Sequence, residues 1–202
     1  TRGTRYTLVS SSAAAQVDQG ASPITALSSG FSLDGGYSNI NSVRSFASWT
    51  FRKAAKFFDV VTYTGTGSAR TIAHSLGVAP GCMFIKCTST SGDWIVLHRD
   101  LLSTGQMLNL NTTAAPQSNT VLNNWTSTGF EIGYGSTSNT LANASGQTYV
   151  AYLFAHDTSS TGIIQCGSFT TDGSGNATVN LGWEPQYLML KASSTAQDWY
   201  VY

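Results

Sequence analysis

The side chains best able to do chemistry in this chain are three histidines, three cysteines and ten carboxylates. His156-Asp157 and His98-Arg99-Asp100 set an acid beside an imidazole, the pairing on which general acid–base and triad chemistry depends. Neighbouring residues of a strand point to opposite faces, so this spacing alone does not bring them together. His74, His98 and His156 are therefore read as structural or surface residues. Glycoside hydrolysis needs two carboxyl groups flanking one bond. Asp93 and Asp198 come nearest to a pair, but each precedes a tryptophan at the same place in a recurring pattern. Such a residue serves the fold. The expectation is a hairpin start whose carboxylate bonds to turn amides while Trp94 or Trp199 fills core.

Other chemical motifs fall away on inspection. Gly65-Thr66-Gly67-Ser68-Ala69-Arg70 has the look of a phosphate loop, yet it lacks a third glycine and a lysine, and a strand-like run follows it. Asp172-Gly173-Ser174-Gly175-Asn176 has one carboxylate, too few for a calcium loop, and reads as a turn. Neither a nucleophile elbow nor a two-histidine zinc helix is present. Cys82 and Cys87 are five apart in a strand-like run and so face opposite ways, while Cys166 stands where an earlier copy of the pattern has Val60. No disulfide framework, metal site, cofactor or catalytic residue is expected.

Composition narrows the classes further. Charged residues are 10% and the formal net charge is zero, which gives no electrostatic case for nucleic acid or an anionic membrane. Arg52, Lys53 and Lys56 form one basic cluster, read as a solvated connection. No apolar run is long enough to cross a membrane as a helix. Ser and Thr supply about a quarter of the chain, with frequent Gly and Asn, a mixture suited to strands and turns.

The elements that must position any site repeat themselves. Leu76-Gly77-Val78-Ala79-Pro80 returns as Leu181-Gly182-Trp183-Glu184-Pro185, Phe84-Ile85-Lys86 as Met189-Leu190-Lys191, and Asp93-Trp94 as Asp198-Trp199, all 105 residues apart. Gly30-Phe31 returns as Gly129-Phe130, and Phe46–Phe51 as Tyr149–Phe154. A period of this size has to be read before any other motif. Apolar runs are short and separated by turn residues, and Met83–Cys87 with Trp94–His98 reads as a hairpin. Thr148–Ala155 is apolar on both faces, as a central covered strand would be. The expected fold class is all-β: tandem antiparallel β-sandwich modules, jelly-roll-like, of about 100 residues. Residues 1–56 read as the back half of a module, 57–160 as a complete β-sandwich module and 161–202 as the front half of a further one. The opening at Thr1 and these cut points lead us to expect a fragment or processed product, whose two half-modules complete each other within or between chains.

Aromatics kept in both copies (Trp94 with Trp199, Tyr63 with Phe169, Phe31 with Phe130) are expected in the core, and the paired Pro80 and Pro185 are read as structural positions of a recurring turn. Those found in one copy are free for other work: Trp125, Tyr134 and Trp183, where the other copy has Val78. Exposed Trp and Tyr present an apolar face on which a sugar ring can stack, which makes these three the candidate glycan-binding residues.

Phe57–Gly65, Tyr149–Asp157, the Leu76–Pro80 turn and Asp93–Arg99 together resemble a repeated β-rich domain found in virion structural and tail-fibre proteins of tailed bacteriophages, marine ones especially. The resemblance covers nearly the whole chain and is weakest over residues 1–28; Leu97 stands where an aromatic is usual. It implies a place in an extracellular particle and no enzymatic activity. The expected function is a non-enzymatic structural protein of a tailed-phage virion, in a fibre, decoration or tail position. Its partners would be other virion proteins, copies of itself and a host surface glycan. The alternative is a glycan-binding module of an adhesin or of a secreted polysaccharide-acting protein.

Overall fold

Thr148–Ala155 is the strand around which the chain is arranged. Phe58–Thr64 pairs with one of its edges and Pro80–Cys87 with the other, both antiparallel. Neighbours on both edges satisfy its backbone, and cover on both faces requires apolar residues throughout. The computed structural model describes residues 4–20, 23–33, 45–118, 121–133 and 141–202. Among these the strands are β1 (Tyr6–Thr7), β2 (Val17–Asp18), β3 (Ile24–Leu27), β4 (Gly30–Leu33), β5 (Phe58–Thr64), β6 (Arg70–Ala73), β7 (Pro80–Cys87), β8 (Ile95–His98), β9 (Gln106–Asn109), β10 (Gln117–Ser118), β11 (Leu122–Trp125), β12 (Gly129–Ile132), β13 (Thr148–Ala155), β14 (Met189–Lys191) and β15 (Trp199–Val201). One helical turn, α1 (Arg99–Leu102), interrupts them. The protein is thus nearly all β, built from several antiparallel sheets. Among the described residues no helix is long and apolar enough to cross a membrane.

Two sheets enclose the core. The larger runs β10-β9-β8-β7-β13-β5 and the smaller β11-β12-β6. Alternation along β7 sends Met83 and Ile85 inward with Ile95 and Leu97 of β8 and Tyr149, Ala151 and Leu153 of β13. Ile72, Leu122, Phe130 and Ile132 of the smaller sheet meet them in one cluster. Each of the larger aliphatic and Phe side chains contributes about 1.5–3 kcal/mol by leaving water. The opposite face of the larger sheet is aromatic: Phe154 has ring centroids 5.1 Å from Phe58 and 5.2 Å from Phe84, and Tyr152 stacks on Trp94. Phe51 adds its ring to Phe58 and Phe154 from outside the sheet.

The remaining hairpins copy the registers of this sandwich. In β1–β2, Tyr6 faces Asp18 and Thr7 faces Val17; in β9–β10, Gln106 faces Ser118 and Met107 faces Gln117, every position shifted by 100. Thr25↔Ser32 and Ala26↔Phe31 of β3–β4 return as Asn124↔Glu131 and Trp125↔Phe130 of β11–β12, shifted by 99. Phe84↔Val96 and Ile85↔Ile95 of β7–β8 return as Met189↔Val201 and Leu190↔Tyr200 of β14–β15, shifted by 105. Gly77 and Gly182 both hold the left-handed backbone, with φ of 77° and 81°. A slip of one residue would turn every side chain to the wrong face, so shared register is a strict likeness.

Elsewhere the copies diverge. Phe46–Phe51 carries the apolar pattern of β13 but lies in no strand, and residues 163–188 form none either. Strand β13 is held by β5 on one edge and β7 on the other, whereas Phe46–Phe51 has neither kind of neighbour among the described residues. Phe31 and Phe169, expected in core from their counterparts, are accordingly exposed, while Phe130 is buried and Tyr63 packs on the core.

Candidate functional site

Two arrangements gather the residues singled out by sequence. The first is a set of hydrogen bonds from the β7–β8 hairpin to the chain that precedes it. The Trp94 indole Nε1 donates to the Val9 carbonyl at 3.0 Å, the Gly92 amide to the Ala13 carbonyl at 2.8 Å, and the Lys86 ammonium to the same Ala13 carbonyl at 3.3 Å. In the β14–β15 hairpin Trp199 Nε1 donates to the Asn109 carbonyl at 3.0 Å, Gln197 N to the Thr113 carbonyl at 2.9 Å, and Lys191 Nζ to that carbonyl at 3.0 Å. All three donors move by 105 residues and both acceptors by 100. Every acceptor is a backbone carbonyl, so the latch depends on the path of the receiving chain and is indifferent to its side chains.

Local chemistry sets up this latch. Lys86 lies on the aromatic face of β7 and is fully buried; it also donates to the Cys87 carbonyl at 2.8 Å, and burial lowers its pKa. Trp94 is buried, as a core residue should be, but on that outer face, stacked on Tyr152 and bonded to Val9, and not in the cluster between the sheets. The Asp93 carboxylate bonds to the side-chain amides of Asn111, at 2.8 Å, and Asn109, at 3.3 Å, in place of turn amides. The hairpin loop is long enough to bring Asp93 over the neighbouring strand β9. Asp198 is exposed and Trp199 half-buried.

A cleft of about 540 Å³ at one end of the sandwich is the second arrangement. Its walls are Val78, Ala79 and Pro80, Arg99, Asp100 and Ser103, with Trp125 and His156. Topology gathers them. Ala155 pairs with Pro80, which sets His156 beside the start of β7, and Cys82 pairs with His98, after which the chain turns into α1. Trp125 arrives from the smaller sheet and packs against the core as it lines the cleft. Gly81 permits the close approach, because a Cβ there would stand 2.8 Å from the Cβ atoms of His156 and Cys166.

Electrostatics in the cleft are balanced. Arg99 Nε lies 3.6 Å from Asp100 Oδ1. His156 Nδ1 accepts from the Cys166 amide and His98 Nδ1 from the Asp100 amide, leaving the proton of each neutral ring on Nε2. Burial lowers both histidine pKa values; the Arg99 charge adds to this at each ring, while Asp100 opposes it. Sequence reasoning singled out Trp125 and missed Arg99, Asp100, Ser103 and His156 as its neighbours, because only strand pairing puts them at one end.

The other candidates lie apart. Tyr134 falls outside the described residues. Trp183 is half-buried, and its indole nitrogen is enclosed without a hydrogen-bond partner among the described residues. Pro80 is buried in the cleft wall, whereas Pro185 is exposed. His74 is structural: Nδ1 accepts from the Leu76 amide, Nε2 contacts the Thr126 carbonyl, and the ring stacks on Phe130. Burial raises the Cys82 thiol well above its usual range and Cys166 to about 12, so neither is a ready nucleophile. Asp172 forms a turn, accepting the Ser174 and Asn176 amides. Lys53 is more than solvated, since it pairs with the buried Asp59.

No curated protein and no solved structure matches this chain. A family profile does match, across residues 1–202. The chain, with its recurring hairpins and its cleft, belongs to the family described as Domain of unknown function (DUF7483).

Proposed function

We propose that this protein works by assembly and not by catalysis: sandwich units cut from one pattern dock in series, within the structural part of a tailed-phage particle. Residues 1–56, 57–160 and 161–202 are then portions of three successive jelly-roll-like units. The observation that carries this reading is the recurring latch, in which Trp94 and Trp199 grip the backbone of the preceding unit at Val9 and Asn109. A contact that recurs with its hairpin is a joint, and a joint repeated at a fixed interval generates an extended array. The placement in a virion rests on the sequence resemblance.

Copies of the chain are partners in this scheme. The Phe46–Phe51 segment repeats the pattern of β13 and exposes Phe46 and Trp49. Strand β14 with the segment after Gly162 repeats the two neighbours between which β13 lies. A second copy that offers that gap would accept the segment by strand addition.

Paired cysteines test the joint. Ser91 Oγ donates to the Ala13 carbonyl at 3.0 Å, and Ala196 with Thr113 occupies the equivalent place. Ala13→Cys with Ser91→Cys, and separately Thr113→Cys with Ala196→Cys, should each form a cross-link on mild oxidation, read by mass spectrometry of peptides. Closure of the first pair alone would remove the recurrence on which the proposal rests. Antiserum to the purified chain should label intact particles, and its failure to do so would remove the virion placement.

A further inference from the structure

We propose that the cleft between the start of β7, α1 and Trp125 is a binding site for a neutral saccharide, with one pyranose ring against the Trp125 indole. This site stands independently of the assembly reading, because none of its residues takes part in the latch.

The shape and lining fit that ligand class. A volume of about 540 Å³ lies within the range of small-ligand sites, which combine apolar walls with a few convergent polar groups. Here the apolar wall is Trp125 with Val78 and Pro80, and the polar groups are Asp100, Arg99 and Ser103. A pyranose has the same division, with C–H bonds on its faces and hydroxyls at its rim. Asp100 and Arg99 are 3.6 Å apart, longer than a hydrogen bond, so the carboxylate can accept from one hydroxyl while the guanidinium donates to the next. Ser103 Oγ donates to the Asp100 carbonyl at 3.0 Å, which turns its lone pairs outward as acceptors.

Charge decides between neutral and acidic sugars. The formal charges of Arg99 and Asp100 cancel, and the lowered pKa of His156 keeps that ring uncharged near neutrality. A carboxylated sugar would meet Asp100 with no surplus positive charge to offset it.

The chain carries its own comparison. Trp125 faces Phe130 in the register at which Ala26 faces Phe31, and Lys53 holds the position of His156 in the Phe46–Phe51 copy. The hairpin register therefore accepts Ala at the place of Trp125, whereas Lys53 matches His156 in sequence alone. A large aromatic half-exposed beside a polar cleft is not something the hairpin requires.

The test uses the full chain on a printed array of neutral and sialylated oligosaccharides, followed by calorimetric titration of any retained glycan. Retention of neutral pyranose glycans is expected, with affinity falling about tenfold in Trp125→Ala and in Asp100→Asn. Trp183→Ala should bind as the parent does. Because Trp125 also packs on the core, Asp100→Asn, an exchange at the cleft rim, serves as the variant that keeps the fold, checked by its melting temperature. No retained glycan, retention of sialylated glycans alone, or affinity unchanged in a folded Asp100→Asn protein would each overturn the proposal.

Discussion

Trp199 donates its indole proton to the carbonyl of Asn109 at 3.0 Å, the same length and the same kind of bond by which Trp94 holds Val9. The two acceptors are different residues, and the bond ignores the difference because it is made to backbone. A tryptophan recurring at this position thus ties its hairpin to the backbone of an earlier segment, and Trp94 in addition stacks on Tyr152.

Trp94→Phe should expose that tie. The substitution keeps most of the apolar area over Tyr152 and deletes one hydrogen bond, at a cost of about 1 kcal/mol. Trp94→Ala should cost about 3–5 kcal/mol through the cavity it leaves. In both, amide hydrogen exchange of residues 4–20 should accelerate more than that of β13. If urea unfolding of Trp94→Phe matches the parent and exchange is unaltered, the bond contributes nothing to the joint.

Lys53 and Asp59 make an asymmetric pair, 2.5 Å apart with side-chain exposures of 49% and 2%. Burial opposes ionisation of Asp59, but the Lys53 ammonium and the Ser75 and Val60 amides outweigh it and hold the carboxyl below its usual range. Lys53→Met should therefore cost only about 1 kcal/mol, since the ammonium is half in water. Asp59→Ala should cost more, about 2–4 kcal/mol, by stranding two amides that its carboxylate accepts from. Urea midpoints compare them; equal losses would contradict the asymmetry.

Stability should fall in two steps as the solution is acidified. His74, His98 and His156 all have pKa values lowered from 6.5, chiefly by burial. Their unfolded forms bind protons first, so their contribution is complete above about pH 6.5 and is lost as the pH falls through the lower folded values. Asp59 is likewise lowered from 3.8, and its contribution disappears in a separate, more acidic window. Melting temperatures across pH 8 to about 2 would show both steps. A His74→Phe protein should lose part of the first step and none of the second.

Phe46 and Trp49 are 53% and 66% exposed, an unusual place for large side chains whose counterparts in β13 sit in a paired strand. The chain should self-associate in light scattering at micromolar concentration, and Phe46→Lys with Trp49→Lys should shift it to monomer. A parent that remains monomeric under those conditions would remove strand addition between copies.

How much of this was legible beforehand differs by element. The Thr148–Ala155 run announced a central strand because an octet apolar on both faces has no other stable place in a sheet. The Met83–Cys87 and Trp94–His98 runs announced their hairpin by the polar turn between them. Phe31 and Phe169 misled, because a residue's pattern states which face it prefers but not whether a partner sheet is present to cover it. Trp125 was marked by its absence from the other copy, while Arg99, Asp100 and His156 were judged only against their sequence neighbours.

The linear order of residues was sufficient to establish an all-β chain and its period, since alternation, turn residues and self-similarity are local properties that need no partner. What the three-dimensional arrangement decided was every relation between distant segments. It set His156 beside Pro80 and placed Trp94 under residues 4–20 outside the inner core. It also left the Phe46–Phe51 copy of β13 without a strand partner among the described residues. Such relations depend on which strand edges and faces find neighbours, and that is a property of the whole sheet which no single stretch of sequence contains.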